Sequence, residues 1–172
     1  MSKMIRVRPF TPSEWKTYQD LRLRALADAP DAFGSTLARE QDHPDSLWES
    51  RLADGQDRRW NLPLVAEVNG EPAGMAWGRI EEDDPDRAYL YQMWVAPEYR
   101  QRGVGEKLLN EVIRWARECD ASTLHLGVTV RNSPAMRLYL RAGFEPDGEP
   151  GPLRPGSDLM EQSMRLKLRK DN

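Results

Sequence analysis

The sequence predicts an α/β (α+β) fold in which helices pack on a mixed, mostly antiparallel sheet. Two apolar segments within residues 62–80 are separated by Asn69-Gly70, the strongest short signal for a β-hairpin, because both positions tolerate positive φ. An apolar strand at 87–95, a strongly periodic helix from Val104 and an alternating strand at 122–130 then follow one another. A strand–helix–strand crossover makes its two strands parallel neighbours. The sheet is therefore expected to combine antiparallel hairpins with a parallel pair.

Length and composition favour one globular domain over residues 1–172. The chain has 172 residues, 31% charged and 39% hydrophobic, with a net charge of -3. An acidic chain does not fit binding dominated by phosphate neutralisation, so no nucleic-acid partner is expected. No apolar run is long enough to cross a bilayer, and the N-terminal residues lack the apolar segment of a signal peptide. We therefore expect a cytoplasmic protein with no membrane partner.

Cysteine and histidine usage points away from disulfide and metal chemistry. Cys119 is the one cysteine, which fits a reducing compartment, and it lies on the apolar face of the periodic helix, where packing is favoured over nucleophilic chemistry. His125 lies on the strand face opposite Leu124 and Leu126, so a packed or surface imidazole is favoured over a catalytic base. The sequence predicts no metal site.

The N-terminal segment predicts a short strand followed by a helix. Residues 5–10 alternate apolar and polar side chains, as a strand does. Thr11 with Glu14 three residues later forms a capping box, which begins a helix that should end near 28–30.

Between this helix and the hairpin the pattern is less regular. A turn is expected at 31–36 and a second helix at 45–53. Arg22 and Arg24 fit a solvated face of the first helix better than a functional one.

The C-terminal segment predicts a short helix, a loop and a last strand. Ser133 as N-cap and Pro134 at the first helical position open the helix, and Gly143 closes it. A loop rich in Gly and Pro at 147–158 then leads to a strand at 159–168.

The segment Arg100-Gln101-Arg102-Gly103-Val104-Gly105 joins the apolar strand to the periodic helix. The first amides of a helix have no partner within the helix, the dipole favours negative charge, and glycine lets a phosphate approach the main chain. A Rossmann fingerprint would need Gly or Ala at Leu108, and in a P-loop Lys would follow Gly105 where Glu106 stands. An anion site is the functional interpretation, and a plain turn before a helix is the alternative.

Two motifs identify a family resemblance. Residues 100–105 match the Arg/Gln-x-x-Gly-x-Gly/Ala signature of the GCN5-related N-acetyltransferase (GNAT) family. Residues 132–144 resemble its second signature, Asn-x-x-Ala-x-x-x-Tyr-x-x-x-Gly-Phe. The resemblance is sharp over 90–144. It implies a single GNAT-like domain with helices on both faces of the sheet and central parallel strands splayed apart by a bulge.

The resemblance also implies acetyl-CoA as co-substrate, with no metal. The loop would hold the pyrophosphate, the backbone of Met93 and Val95 would pair with the pantetheine arm, and a backbone N–H near Trp94 would face the developing oxyanion. Asn132 resembles a position that binds pantetheine or orders the helix start. The expected cofactor-binding residues are Met93, Trp94, Val95, Arg100, Gln101, Arg102, Gly103, Val104, Gly105, Glu106, Asn132, Ala135 and Tyr139.

The resemblance assigns Tyr139 as the general acid that protonates the leaving thiolate. An unperturbed phenol stays protonated at neutral pH, and a core tyrosine is the alternative. Many family members carry a glutamate on the strand before the phosphate loop, whereas this chain has Gln92 there, which can orient water or substrate but cannot accept a proton. Glu67, Glu81 or a water-mediated route are the alternatives for the base.

The acceptor side is expected to involve the first helices and their connection, as the resemblance implies. Phe33, Ser35, Thr36 and Trp48 are candidates for substrate contact, with packing as the alternative for each. The acidic run at 81–86 is read as a solvated turn, and attraction of a cationic amine is its alternative role.

The resemblance predicts transfer of an acetyl group to a primary amine of a small molecule, by direct attack in a ternary complex. A protein N-terminus or lysine is an alternative acceptor, since sequence does not decide between a pocket and a groove. A non-catalytic acyl-CoA sensor is the alternative from another class. Dimers are frequent in the family, so the resemblance also admits a homodimer.

Overall fold

One open sheet carries the fold of residues 4–169, which the computed structural model describes. Its strands are β1 (Ile5–Pro9), β2 (Asn61–Val68), β3 (Glu71–Glu81), β4 (Asp84–Val95), β5 (Thr123–Thr129), β6 (Glu145–Pro146), β7 (Gly151–Pro152) and β8 (Met160–Lys167). The helices are α1 (Trp15–Asp28), α2 (Leu37–Glu40), α3 (Asp45–Asp54), α4 (Val104–Glu118) and α5 (Pro134–Ala142). The strand order is β1-β2-β3-β4-β5-β8-β6, and β7 pairs with β8.

The predicted mixed, mostly antiparallel sheet is confirmed. Within the described residues β4 and β5 form the one parallel pair, joined across α4, and every other strand pairing is antiparallel. The β2–β3 hairpin turns at Asn69 and Gly70, whose φ angles of 52° and 84° are the positive values that this dipeptide tolerates. The last strand, β8, lies between β5 and the two-residue strand β6.

Helices cover both faces of the sheet, as expected. One core packs α4 and α5 against the sheet, with Leu108, Val112 and Leu124 fully buried. The other core packs α1 and α3 on the opposite face, around Tyr18 and Trp48. No helix within residues 4–169 is long and apolar enough to span a membrane.

The capping box at the first helix is confirmed. The Thr11 N–H donates to Glu14 Oε1 over 2.8 Å, and a single 3-10 turn, Pro12–Glu14, precedes α1. Glu14 also binds Arg8 through both carboxylate oxygens, at 2.8 Å each. The hydrogen bonds from Arg8 are the main reason why the pKa of Glu14 falls to about 2.

The connection after α1 differs from the expected turn. A 3-10 turn at Pro30–Ala32 is followed by the short helix α2. The Thr36 side chain caps α2 by accepting a hydrogen bond from the Arg39 N–H. Glu40, the last residue of α2, lies against α1 and binds Arg22, which is buried. The prediction that Arg22 lies on a solvated face of α1 is therefore wrong. Arg24 does remain exposed, as predicted, and pairs with Glu98.

Candidate active site

A bulge in β4 sets the geometry of the cleft. Tyr91 pairs with Trp77 on β3 and Trp94 with Met75, so β4 has one residue more than β3 in this interval. Gln92 occupies the bulge with a φ of 57°, a conformation that residues other than glycine rarely adopt. The extra residue reverses the strand alternation after the bulge, so that Leu90 and Met93 both pack toward α4, whereas Trp94 packs toward α1.

The parallel strands β4 and β5 separate just before the bulge. The β4–β5 pairing covers Arg87–Tyr89 and Thr123–His125, yet β4 continues to Val95 and β5 to Thr129. A wedge therefore opens between the two strands, and the strand edges inside it carry backbone groups free of β4–β5 ladder bonds. This is the splayed arrangement that the sequence resemblance implied.

The N-terminus of α4 closes one end of the wedge. Gly103 is the N-cap with a φ of 86°, and a side chain at this position would have open space around it. A Cβ on Gly105 would lie 3.7 Å from Val95 Cγ2 and 3.8 Å from Met93 Cε. The free amides at the start of α4 thus border the side chains of the β4 edge, as an anion held at this end would require.

The two arginines of the loop differ in what they contact. Arg100 donates from Nη2 to Asp28 Oδ2 over 2.6 Å and from Nε to the Val95 carbonyl over 2.9 Å. Its guanidinium is therefore engaged within the protein. Arg102 is exposed and stacks loosely over the Tyr99 ring, so its charge remains available beside the helix start.

Tyr139 lies on α5 beside the same wedge. Its side chain is buried and packs edge-to-face on Phe144. Burial raises the pKa of the Tyr139 phenol well above its ordinary value, so the hydroxyl stays protonated across the physiological range. Asn132 and Ala135 are exposed at the start of α5, where Asn132 accepts a hydrogen bond from Arg137 over 2.9 Å.

A cavity of about 320 Å³ opens on the α1–α3 side of the bulge. Two arginines, two carboxylates, two side-chain amides and three aromatic rings line it. Its lining comprises Tyr18, Arg51, Asp54, Gly55, Asn61, Trp77, Arg79, Glu81, Tyr91 and Gln92.

Gln92 is oriented within this cavity by α1. The Tyr18 hydroxyl donates to Gln92 Oε1 over 2.8 Å, and the Tyr18 ring packs between Trp48 and Trp77. Because this contact occupies the carbonyl oxygen of Gln92, the amide group has its two N–H donors to offer to a ligand. Trp77 is in turn fixed by donation from Nε1 to Asn61 over 3.0 Å.

The four predicted acceptor contacts do not line this cavity. Trp48 is completely buried beneath Tyr18 and Arg51, so its assignment to substrate contact is corrected to a core role. Phe33 is buried in the same core, and Thr36 uses its hydroxyl to cap α2. The Ser35 side chain lies near Glu40 and contributes to lowering the pKa of that carboxyl, after the larger effects of burial and Arg22.

A buried ion pair lies behind the cavity. Arg22 Nη2 donates to Glu40 Oε2 over 2.8 Å, and both side chains are less than a tenth exposed. Arg51 donates to the other oxygen of Glu40 over 3.2 Å and stacks on Trp48. Burial acts to raise the pKa of Glu40, but its polar neighbours, Arg22 first and Arg51 with a smaller contribution, together outweigh burial, and the pKa lies below its ordinary value.

The carboxylates proposed as bases are both ion-paired. Glu67 binds Arg8 Nε at 2.9 Å on the β1–β2 side of the sheet. Glu81 binds Arg79 through both oxygens at 3.2 Å at the rim of the cavity. His125 is a packed imidazole bonded to Thr123, and Cys119 is partly buried against the Arg58 carbonyl, as the sequence indicated for both. Residues 4–169 contain no group of three metal-ligating side chains.

The sequence reasoning missed Tyr18, Arg51, Asn61 and Trp77 as cavity residues. Strand alternation could have placed Trp77 and Arg79 on one face of the hairpin, opposite Ala76 and Ile80. No local signal marks Tyr18 or Arg51, because their positions depend on how α1 and α3 pack on the sheet.

Solved structures share this architecture. The structure of yncA, a candidate acetyltransferase from Salmonella typhimurium solved with its cofactor acetyl-CoA, superposes with a TM-score of 0.80. The match covers 98% of this chain and 96% of that one, at 20% identity. At that identity the likeness shows the fold alone, an α/β fold with an open mixed sheet.

Sequence comparison gives the family. The model of the acetyltransferase (GNAT) family matches residues 15–144, and the chain belongs to that family. It is 30% identical over 133 residues to the L-amino acid N-acetyltransferase AaaT of Escherichia coli, covering 73% of this chain and 76% of that protein. It is 38% identical over 85 residues to a candidate ribosomal protein bS18-alanine N-acetyltransferase of Bacillus subtilis, covering 49% of this chain and 54% of that protein. The chain spans 38% of the length of another relative, an N-acetyltransferase of Methanocaldococcus jannaschii.

Proposed function

We propose that this protein is an acetyl-CoA-dependent N-acetyltransferase that transfers the acetyl group to a primary amine of a small molecule, by direct attack in a ternary complex. The observation that carries the proposal is the wedge between β4 and β5, with the start of α4 at one end and the cavity beside Gln92 at the other. A thioester lying in the wedge would meet an amine at the bulge.

Backbone groups would supply most of the cofactor contacts. The amides of Val104 and Gly105, at a helix start preceded by Gly103, offer donors and dipole to a pyrophosphate. Met93 and Val95 would pair with the pantetheine arm along the open edge of β4. Gln101 and Glu106 would take part through the main chain, and Arg102 through its charge.

The Arg100 contacts refine this assignment. Because Arg100 Nε already donates to the Val95 carbonyl, a pantetheine N–H pairing with that oxygen would either share it with Arg100 or displace Arg100. We assign Arg100 to holding the loop against Asp28 at the end of α1.

Two groups would assist acyl transfer. A backbone N–H at the bulge near Trp94 would stabilise negative charge on the thioester oxygen, since a donor fixed in place before the reaction needs no reorganisation. Tyr139 would donate its proton to the departing sulfur, and its raised pKa keeps that proton in place until then.

The cavity favours a small acceptor with mixed charge. Its volume of about 320 Å³ matches a small-molecule site, and its lining includes both basic side chains, Arg51 and Arg79, and carboxylates, Asp54 and Glu81. The relative AaaT is named for L-amino acids, whose carboxylate and amine suit such a lining. Gln92 would orient the acceptor through its free amide hydrogens.

A protein N-terminus or lysine is the second candidate acceptor. The name of the Bacillus subtilis relative and the exposure of Tyr91 at the cavity rim support it. A non-catalytic acyl-CoA sensor is a third candidate, and the presence of Tyr139 argues against it.

The test measures CoA release and product mass with acetyl-CoA and three pools: amino acids, polyamines and amino sugars, and peptides with free N-termini. Turnover in a small-molecule pool supports the proposal, and turnover with peptides alone replaces it with the second candidate. Calorimetric binding of acetyl-CoA without turnover in any pool would instead favour the sensor. Absence of CoA binding would refute the proposed function altogether.

A further inference from the structure

A carboxylate that the sequence analysis did not consider lies on the acceptor side of the wedge. Glu161 is the second residue of β8, paired with Thr129 at the end of β5. A methyl group on Gly127 would lie 2.6 Å from Glu161 Cδ and 2.8 Å from each carboxylate oxygen. The carboxylate of Glu161 therefore lies over Gly127, where a larger residue would displace it.

The face of the sheet identifies what this carboxylate is near. Leu124, Leu126 and Val128 pack in the core beneath α4, so Gly127 and His125 face the opposite side. On that side His125 contacts Tyr89, and Tyr89 stacks on Tyr91, which lines the acceptor cavity.

Glu161 and Tyr91 lie on opposite sides of the wedge. The last parallel pair joins Tyr89 to His125, so Tyr91 and Gly127 are the next residues of β4 and β5 on this face after the strands part. Burial is the main cause that raises the pKa of Tyr91, and the negative charges of Glu81 and, to a smaller extent, Glu161 raise it further. The carboxylate thus borders the mouth through which an amine would reach the bulge.

Glu161 differs electrostatically from the other carboxylates of this region. Asp54 and Glu81 line the cavity itself, and Glu81 is bound by Arg79. For Glu161, burial is the cause that raises its pKa. The titratable groups on this face include Arg87, Tyr89, Tyr91, His125, Asp147 and Arg165. Burial lowers the pKa of His125, so the imidazole is mainly neutral.

We propose that Glu161 is the proton acceptor that converts the incoming ammonium into the attacking amine. The proposal rests on the proposed function. Glu161 removes one proton from R–NH3⁺, the nitrogen then forms its bond to the thioester carbonyl carbon, and the C–S bond breaks with its electron pair on sulfur. Tyr139 protonates the sulfur and regains a proton from the nitrogen through solvent. The proton on Glu161 passes to solvent, so the sum is R–NH3⁺ + acetyl-CoA → R–NH–acetyl + CoA–SH + H⁺.

The pH profile of kcat/KM separates a base from a structural residue. Without Glu161, the reaction depends on the small fraction of acceptor that is already neutral, and this fraction rises with pH up to the pKa of the amine. We therefore expect kcat/KM of Glu161→Gln to be about 100-fold below that of the wild type at pH 7, a typical size for general base catalysis. The difference from the wild type should shrink as the pH approaches the pKa of the free amine. A loss of the same factor at every pH would overturn the proposal.

Three controls accompany this measurement. Gly127→Ala displaces the carboxylate without removing it and should reproduce part of the pH-dependent loss. Glu81→Gln removes the neighbouring carboxylate and should change the rate by a factor that does not vary with pH; a pH-dependent loss confined to this variant would overturn the assignment to Glu161. Unchanged acetyl-CoA affinity and melting temperature of Glu161→Gln exclude misfolding as the cause.

If the wild type acetylates no amine, the proposed function and this inference both fail. An active wild type with an unaltered pH profile of kcat/KM in Glu161→Gln refutes this inference alone.

Discussion

The two sides of the wedge use different parts of the chain for recognition. On the α4 side, the start of the helix, the open edge of β4 and two glycines present main-chain groups. On the α1–α3 side, the cavity presents side chains that are fixed by one another, as Tyr18 fixes Gln92 and Asn61 fixes Trp77. Main-chain recognition needs a backbone shape, which a short motif can specify. Side-chain recognition needs several elements to pack correctly.

The comparison predicts that damage to the two sides will appear in different measurements. Changes on the α4 side should alter CoA binding or the chemistry that follows it. Changes on the α1–α3 side should alter stability or acceptor binding while CoA binding persists.

The largest expected effect is on the buried pair behind the cavity. Glu40→Gln leaves the Arg22 guanidinium buried without its counter-ion, and we expect a loss of about 3 kcal/mol or more in the free energy of unfolding. Urea denaturation measures it. Glu98→Gln, which breaks the exposed pair with Arg24, is the matched control and should cost far less, because solvent screens the pair. Equal losses would show that Glu40 is not a structural support of the acceptor side.

The same pair has a pH signature. Because the pKa of Glu40 in the folded protein lies below its ordinary value, its contribution to stability is present at neutral pH and is lost as the pH falls through the folded pKa. The difference in unfolding free energy between wild type and Glu40→Gln should therefore shrink in acid.

The next effect concerns Tyr139 on the α4 side. Tyr139→Phe keeps the ring packed on Phe144 and removes the proton donor, so kcat should fall about 100-fold or more with little change in the dissociation constant of acetyl-CoA. Tyr89→Phe is the control, since Tyr89 lies where β4 and β5 are still paired. A Tyr139→Phe enzyme with wild-type kcat would remove Tyr139 from the chemistry.

The comparison also explains what could be predicted from the sequence. The strands, the long helices and the glycine loop follow from local patterns, since turn chemistry at Asn69-Gly70 and the apolar stripe of α4 need no tertiary information. Arg22 and Arg24 show the limit. They lie two residues apart on one helix with the same chemistry, and they differ in burial because α2 brings Glu40 to Arg22 and not to Arg24.

The site shows the same division. The bulge at Gln92 carries no glycine or other local turn signal, so it entered through the family resemblance and not through the residues themselves. Glu161 could not be predicted because the sequence does not state that β8 inserts between β5 and β6, the placement that brings its carboxylate over Gly127. Trp48 was assigned to the wrong role because an aromatic residue near a predicted site is equally suited to the core beneath it.

A smaller effect is expected at the glycine loop. Gly103→Val places a branched side chain at a φ of 86° over the free amides, and acetyl-CoA should bind about 10-fold or more weakly, which corresponds to about 1.4 kcal/mol. Gly70→Val introduces comparable strain at a φ of 84° in the hairpin turn and serves as the control. Calorimetry on both variants separates loss of a ligand contact from general backbone strain. Equal affinities for acetyl-CoA in the two variants would mean that the loop does not contact the ligand.

The smallest effect tests whether the two sides act independently. Tyr18→Phe keeps the ring between Trp48 and Trp77 and removes the donor to Gln92, so the Gln92 amide is free to rotate in the cavity. Since one such hydrogen bond contributes about 0.5–1.5 kcal/mol, the KM of the acceptor should rise a few-fold while kcat and acetyl-CoA affinity stay near the wild-type values. Steady-state kinetics with varied acceptor concentration measures KM and kcat, and calorimetry measures the affinity for acetyl-CoA. A loss of acetyl-CoA affinity in Tyr18→Phe would mean that the bulge transmits the state of the cavity to the wedge, because Gln92 is the residue that belongs to both.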